Sequence, residues 1–271
     1  MRLYIKLALA GAALVLIMII AFRIHTLLGW GLFIVLTGVM LHASRASYYA
    51  LRGSSAFAAD EFEKALAWYR KAYASKPCPE KHQIGYAYML MRTGDPEQAE
   101  VVLQKLLREA KNHDSRMQAR CNLATAYWLQ EKRDEGVAEL EDVFEQYKNT
   151  LVYGNLGYFK LMHGDLEEAL DFNLEAYTYN SDDKTILDNC ALNYFMLGKM
   201  TEAEAMFEKL MAKAPKRAEP YYYYALTLKE LGKTKEAGDQ IKLALSKDLS
   251  FLTTITRVQI AQAAADLNAE S

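Results

Sequence analysis

The chain is poor in the residues that interrupt regular structure. Its 271 residues include only 14 glycines and five prolines, which argues against a turn-rich sandwich or barrel and for long helices. Cysteine is scarcer still. Cys78, Cys121 and Cys190 are odd in number and widely separated, which excludes a disulfide framework and a CxxC metal site and fits a reducing compartment. An excess of positive charge is also missing: 32 Lys and Arg stand against 34 Asp and Glu, a net charge of −2. A general nucleic-acid binder needs a basic field, so none is expected here. There is no HExxH, no phosphate-cradling Gly-rich loop and no strand pattern to hold one. The histidines (His25, His42, His82, His113, His163) fall in unrelated places. No catalytic constellation, metal or cofactor is therefore expected, and the chain does not read as an enzyme. What is abundant is apolar material, 52% of all residues, with 18 tyrosines.

Charge is unevenly placed. Residues 1–52 carry Arg2, Lys6, Arg23, Arg45 and Arg52 and no acid. Between these lie two apolar runs, Leu7 to Phe22 and Leu27 to Leu41, of 16 and 15 residues. Lys6 can snorkel to headgroups, so the first run extends to about the 20 residues a bilayer requires. The second contains Gly29, Gly31 and Gly38 and is the weaker span. A cleaved signal peptide would have a shorter apolar core and a small-x-small site, which Ala21-Phe22-Arg23 is not. The reading is a membrane anchor over 1–45, with two transmembrane helices at about 3–22 and 27–42. The basic residues outside the spans place both ends in the cytoplasm, giving a multi-pass membrane protein with its soluble part cytoplasmic.

From residue 46 one unit recurs. GDPEQAE (94–100), GDLEEAL (164–170), GKMTEAE (198–204) and GKTKEAG (232–238) each place a Gly five residues before an Ala. Ala65, Ala99, Gly136, Ala169, Ala203 and Ala237 fall at steps of 34, 37, 33, 34 and 34 residues. A period near 34 signals a helix-turn-helix solenoid. Small residues there let two helices approach closely, while Tyr69, Leu103 and Phe207 fill the adjoining gap. Gly94, Gly164, Gly198 and Gly232 read as left-handed helix ends. Asp95 with Gln98, and Asp165 with Glu168, read as capping boxes, with Pro96 in the first turn. His163-Gly164-Asp165 is then a turn and cap. Glu131 stands where other repeats carry Gly. The long step, with its polar stretch Glu109 to Met117, reads as a longer surface loop and a bend. The acidic run Glu139, Glu141, Asp142 and Glu145 reads as a solvated convex face.

The chain thus resembles the tetratricopeptide repeat family. The residues that carry the likeness are Tyr49, Gly53, Ala65, Tyr69, Ala72 and Pro77 in the first repeat, and Tyr153, Leu156, Gly157, Gly164, Ala169 and Ala176 in the fourth. The fifth has Ala191, Tyr194, Gly198, Ala203, Phe207 and Pro215, and the sixth Tyr221, Ala225, Gly232, Ala237 and Ala244. The resemblance implies an all-α, right-handed solenoid of about six repeats over 46–250, preceded by the transmembrane hairpin. Residues 251–271 would supply a capping helix and tail, with Phe251, Ile255, Val258, Ala261 and Ala265 on one face and Arg257 and Gln262 outside.

In this family the first helix of each pair lines the concave side. Asn122, Asn155 and Asn189 stand at equivalent places there, 33 and 34 residues apart. Asn is mildly unfavourable inside a helix, so three in register ask for a reason. In relatives that hold extended peptides, asparagines at this place bind the ligand backbone with both a donor and an acceptor. The ladder is short, because Gly85 and Tyr223 replace it in repeats two and six. The other reading is that these amides tie neighbouring helices together. Tyr88, Trp128, Tyr158, Leu192 and Phe195 are expected on the same side, either lining a groove or forming inter-repeat core. Such a groove suits an apolar peptide or a partner helix. It lacks the basic clamp some relatives use for a C-terminal carboxylate, Lys81 being the only candidate. The expected function is a membrane-anchored adaptor for a protein or peptide client. The alternative is a structural protein that associates with further copies of itself.

Overall fold

The computed structural model describes residues 2–269. Among these the regular structure is α-helical, in 14 helices. Two compact units divide the chain, residues 1–89 and 90–271.

The first unit opens with α1 (Arg2–Ile24) and α2 (Thr26–Ala58), joined through His25 alone, whose Nδ1 accepts from the Leu27 amide at 3.2 Å. The side chains of Arg2 and Lys6 lie outside the described residues. Apolar side chains on both helices face outward, among them Val15, Leu16, Leu27, Ile34 and Leu41. Their turn is tight: a Cβ on Gly29 would meet the Phe22 ring at 2.3 Å.

The sequence places a boundary at 45/46, but no break exists there. α2 runs unbroken for 33 residues, so the second apolar run and the first helix of the first repeat are one rod. Its C-terminal half buries Ala46, Ala50, Gly53 and Ala56, spaced to make one helical face. α3 (Phe62–Ala74) packs back on that face through Ala65 and Ala72, both fully buried. Tyr69 fills the space left by two glycines, since a Cβ on either Gly53 or Gly85 would stand 2.6 Å from its ring. α4 (Glu80–Arg92) contains the division between the units.

In the second unit the pairs continue: α5 (Pro96–Glu109) follows α4, then α6 (His113–Leu129) with α7 (Arg133–Gln146) and α8 (Thr150–His163) with α9 (Leu166–Tyr179). α10 (Lys184–Met196) pairs with α11 (Met200–Met211), α12 (Ala218–Glu230) with α13 (Thr234–Ser246), and α14 (Arg257–Ala269) ends the array. The register residues Ala99, Ala169, Ala203 and Ala237 are at most 1% exposed, and Leu103 and Phe207 are fully buried, as close helix approach requires. Asp95 caps α5 by accepting from the Gln98 amide at 3.1 Å, and Asp165 caps α9 through the amides of Glu167 and Glu168.

Several local expectations need correction. Gly94, Gly198 and Gly232 are left-handed, but Gly164 is extended at φ −108°; Asp165, itself extended, turns the chain there. Glu131 takes the left-handed conformation itself, at φ 62°. The long step makes no loop: its extra residues lengthen α6 to 17, with Asn112 capping it through the Ser115 amide at 2.8 Å. Finally, α14 buries Ile260 and Leu267, while Val258 is 76% exposed and Phe251 precedes the helix. An Ala-rich segment has too little amphipathic contrast to fix its own register. The acidic run on α7 is also more than a solvated face. Arg120 pairs with Glu139 and Asp142, and Lys160 with Glu141.

Glu131→Gly should stabilise the protein by about 0.5–1 kcal/mol, because a left-handed backbone is costly for any residue with a Cβ. A chemical denaturation midpoint that stays put or falls would show that the Arg133 contact to Glu131, 2.6 Å in length, outweighs that strain.

Candidate functional site

α8, α10 and α12, the first helices of three successive pairs, lie side by side. Each contributes residues one helical turn apart to a shared concavity of about 530 Å³: Asn155 and Tyr158, then Asp188 and Leu192, then Glu219 and Tyr223. Residues 250–254, which connect α13 to α14, close one side. This strap is fastened at several points. The Tyr158 hydroxyl donates to the Leu252 carbonyl at 2.9 Å, and the Ser250 amide donates to Glu219 Oε1 at 2.7 Å. Upstream, the Ala218 amide donates to the Asp248 carbonyl at 3.0 Å. Phe251 carries the Arg92 guanidinium 5.0 Å from its ring centroid.

The cavity is electrostatically unusual. Burial, reinforced by the nearby Glu219 carboxylate, pushes the Asp188 carboxyl up to about 7. Glu219 Oε2 is buried without a hydrogen-bond partner among the described residues. Lys184, Lys216 and Arg217 also line the cavity. Burial raises the Tyr158 hydroxyl as well, so it stays protonated and can donate to the strap.

Asp188→Asn checks this geometry. Because its folded value lies above the ordinary carboxylate value, the folded protein binds more protons than the unfolded chain between about pH 4 and 7, and stability falls as pH rises through that window. The substitution should therefore raise the melting temperature more at pH 8 than at pH 5. Equal shifts at both would mean that Asp188 is well solvated.

The structure separates the residues expected to form the site. Asn155, Tyr158, Asn189 and Leu192 share the cavity lining. Asn189 is only 3% exposed and spends its amide on the Gly154 carbonyl at 2.8 Å, tying α10 to α8. Asn122 donates to the Gln118 carbonyl of its own helix at 2.8 Å. The three amides thus do not form an equivalent ladder, and only Asn155 has no hydrogen bond among the described residues. Trp128 is core rather than groove: it is 4% exposed and stacks on Phe159 at 4.0 Å. Phe195 packs on Tyr223 at 5.4 Å beside the cavity. Tyr88 lies in the first unit, edge-on to Phe57 at 5.8 Å. Sequence reasoning missed Asp188, Glu219 and the strap. Asp188 directly precedes Asn189, and its position one turn before Leu192 was the available signal. The strap has no periodicity to reveal it.

Asn155 and Asn189 should behave oppositely on substitution. Asn189→Ala should cost about 0.5–1.5 kcal/mol of stability by removing the buried hydrogen bond that ties α10 to α8. Asn155→Ala should leave stability unchanged or raise it by a few tenths of a kcal/mol, since Ala is the better helix former. Thermal melts of the two variants decide this, and similar losses from both would place Asn155 in the helix packing.

Among the described residues, no group of three or more His, Cys, Asp and Glu is placed to hold a metal ion. Family models described as tetratricopeptide repeat match residues 82–105 and 191–217. No curated protein sequence matches the chain. Solved structures match by fold. A tetratricopeptide repeat protein from Parabacteroides merdae superposes with a TM-score of 0.65 at 17% identity, over 83% of this chain and 85% of that one. The pilF protein of Pseudomonas aeruginosa gives 0.60 at 14% identity, over 85% and 99%. A chain of the Cut9–Hcn1 hetero-tetramer of APC/C gives 0.69 at 13% identity, over 84% of this chain and 44% of that one.

Proposed function

We propose that this chain, a tetratricopeptide-repeat solenoid, is a membrane-anchored adaptor that holds a protein or peptide client in the groove of α8, α10 and α12. The carrying observation is the groove itself. It is concave, crosses three repeats, mixes apolar walls with the uncommitted Asn155 amide, and buries an acceptor, Glu219 Oε2, that lacks a partner among the described residues. A preformed cleft with a few convergent polar groups is the usual form of a binding site, and an unpaired buried acceptor gains from a donor brought by a ligand. The hetero-tetrameric neighbour is in keeping with a protein-interaction role.

Membrane anchoring is supported by α2, whose Thr26–Ala58 span is long and apolar enough to cross a bilayer by length and composition; the apolar stretch Gly11–Ile24 of α1 is shorter. Outward-facing Leu, Ile, Val and Phe on both helices fit lipid as their solvent. The basic residues flanking the pair favour a cytoplasmic solenoid. Tethering would raise the client's local concentration at the bilayer. Catalysis finds no support in the thiols: burial pushes Cys121 up to about 11 and Cys190 up to about 12, so neither is a thiolate at neutral pH.

The test is a pull-down from solubilised membranes with the native chain and with a Tyr223→Ala, Asn155→Ala double variant, beside light scattering of the purified protein. A client lost from the variant, and a native chain that is monomeric in detergent, support the adaptor. Self-association with no other protein recovered supports a structural role instead.

A further inference from the structure

The unbroken α2 fixes the height of the first repeat above the apolar span. Leu41 ends that span, and Ser47 stands six residues further along the same helix, about 9 Å at 1.5 Å per residue. Ser47 Oγ lies 3.1 Å from His82 Nε2, so the start of α4 sits at this level. α3 returns toward the same end. Its early residue Phe62 meets Phe57, while Trp68 stacks on Tyr49 at 5.9 Å, which brings the connection between α3 and α4 down beside Ser47.

The charges at this level are mostly of one sign. Arg45, Lys76 and Lys81 stand at about it and Arg52, Arg70 and Lys71 up to about two turns beyond, all but Arg45 well exposed, with Glu80 the acid among them. The other acids of the first unit, Asp60, Glu61 and Glu63, stand at the opposite end of the α2–α3 hairpin. Residues 1–89 hold ten basic and four acidic residues, while 90–271 hold 22 and 30. Two of the cations are held in place, Arg52 at 5.1 Å and Lys71 at 4.5 Å from the Trp68 ring. On the same helix Tyr48 is 52% and Leu51 68% exposed. A basic cluster whose nearest members stand at about the height of Ser47, just beyond an apolar span, matches the chemistry of an acidic lipid surface.

We propose that this end of the first repeat is a headgroup platform that binds anionic phospholipids, so that the solenoid is held to the bilayer by charge as well as by its anchor. The proposal rests on the reading that α1 and α2 lie in the membrane. Lys76 and Lys81, beside Ser47, stand nearest the phosphates, while Arg52, Arg70 and Lys71 add long-range attraction that salt screens.

The full-length chain, reconstituted in nanodiscs of phosphatidylcholine alone or with about one-third phosphatidylglycerol, tests this. Incorporation into the zwitterionic discs reports the anchor by itself. Amide exchange of residues 71–83 should then slow about five-fold or more in the anionic discs. About 0.5 M salt should abolish the difference, as should the exposed-residue variant Arg70→Gln, Lys76→Gln, Lys81→Gln. Equal exchange in both discs after normal incorporation would overturn the proposal with the anchor intact. Should the variant misfold by circular dichroism, the salt dependence of the native chain decides. If the chain does not enter zwitterionic discs, the anchor reading fails; co-sedimentation with phosphatidylglycerol vesicles but not phosphatidylcholine vesicles then supports the platform, and its absence refutes it.

Discussion

Gly157→Ala should destabilise the protein by roughly 2–4 kcal/mol, a loss of about 5–15 °C in melting temperature. In an exposed helix the same exchange is favourable by about 1 kcal/mol. Here the new Cβ would stand 2.1 Å from Asn173 Oδ1 and 3.1 Å from Asn189 Nδ2. Asn173 is fully buried and has little room to yield. Its amide donates to Asn193 Oδ1 at 3.1 Å and to the Gly157 carbonyl at 3.4 Å, and Asn193 donates in turn to the Leu166 carbonyl at 2.8 Å. Displacing Asn173 therefore disturbs a chain of buried amides linking α8, α9 and α10, and each stranded group costs about 1–3 kcal/mol. Gly238→Ala is the control. Nothing lies within 4 Å of its added Cβ, so it should stabilise α13 by about 0.5–1 kcal/mol. A neutral Gly157→Ala would show that Asn173 can swing aside without penalty.

Removing residues 1–43 should move the protein completely from the membrane fraction to the supernatant. The cut leaves Ala46, Ala50, Gly53 and Ala56, the buried face of α2 that packs on α3. It removes the outward-facing apolar residues of α1 and the first half of α2. A bilayer-spanning helix needs about 20 apolar residues, and no such stretch remains in the sequence. Helicity of the shortened chain, followed by circular dichroism, should persist in proportion to its length. The fractionation should include a wash at about 0.5 M salt, which removes attachment through the basic end of the first repeat. A truncated chain that still pellets after that wash would contradict the anchor.

Much of the solenoid could be read from residues alone because its repeats are built on steric necessities. A position such as Ala203 must be small for α10 and α11 to approach, and Gly198 must tolerate a positive φ, so both leave a mark every 34 residues or so. The groove was legible only in part. Helical periodicity places Trp128, Tyr158 and Leu192 on first helices, yet it cannot tell the strip facing the concavity from the strip facing the next repeat. Trp128 fell on the second strip, against Phe159. Asn189 turned out to be structural because a glycine on the preceding first helix, Gly154, leaves its carbonyl within reach, a relation between residues 35 apart. The buried pair Asn173 and Asn193 gave no warning for the same reason. The strap over the cavity depends on Tyr158 meeting Leu252 across 94 residues, and no local pattern encodes such a contact. The register of α14 was missed because alanines at 261, 263, 264 and 265 offer almost equal faces to the array.

The central claim is that the groove of α8, α10 and α12 is where a client sits. Photo-crosslinking with the 271-residue chain in cells addresses it most directly, with a benzophenone side chain placed at Asn155 in one sample and at the exposed Glu208 of α11 in another. Mass spectrometry should identify a discrete adduct with a protein other than this chain from position 155 and none of that protein from position 208. The same protein captured equally from both positions, or adducts from position 155 formed only with further copies of this chain, would contradict the account.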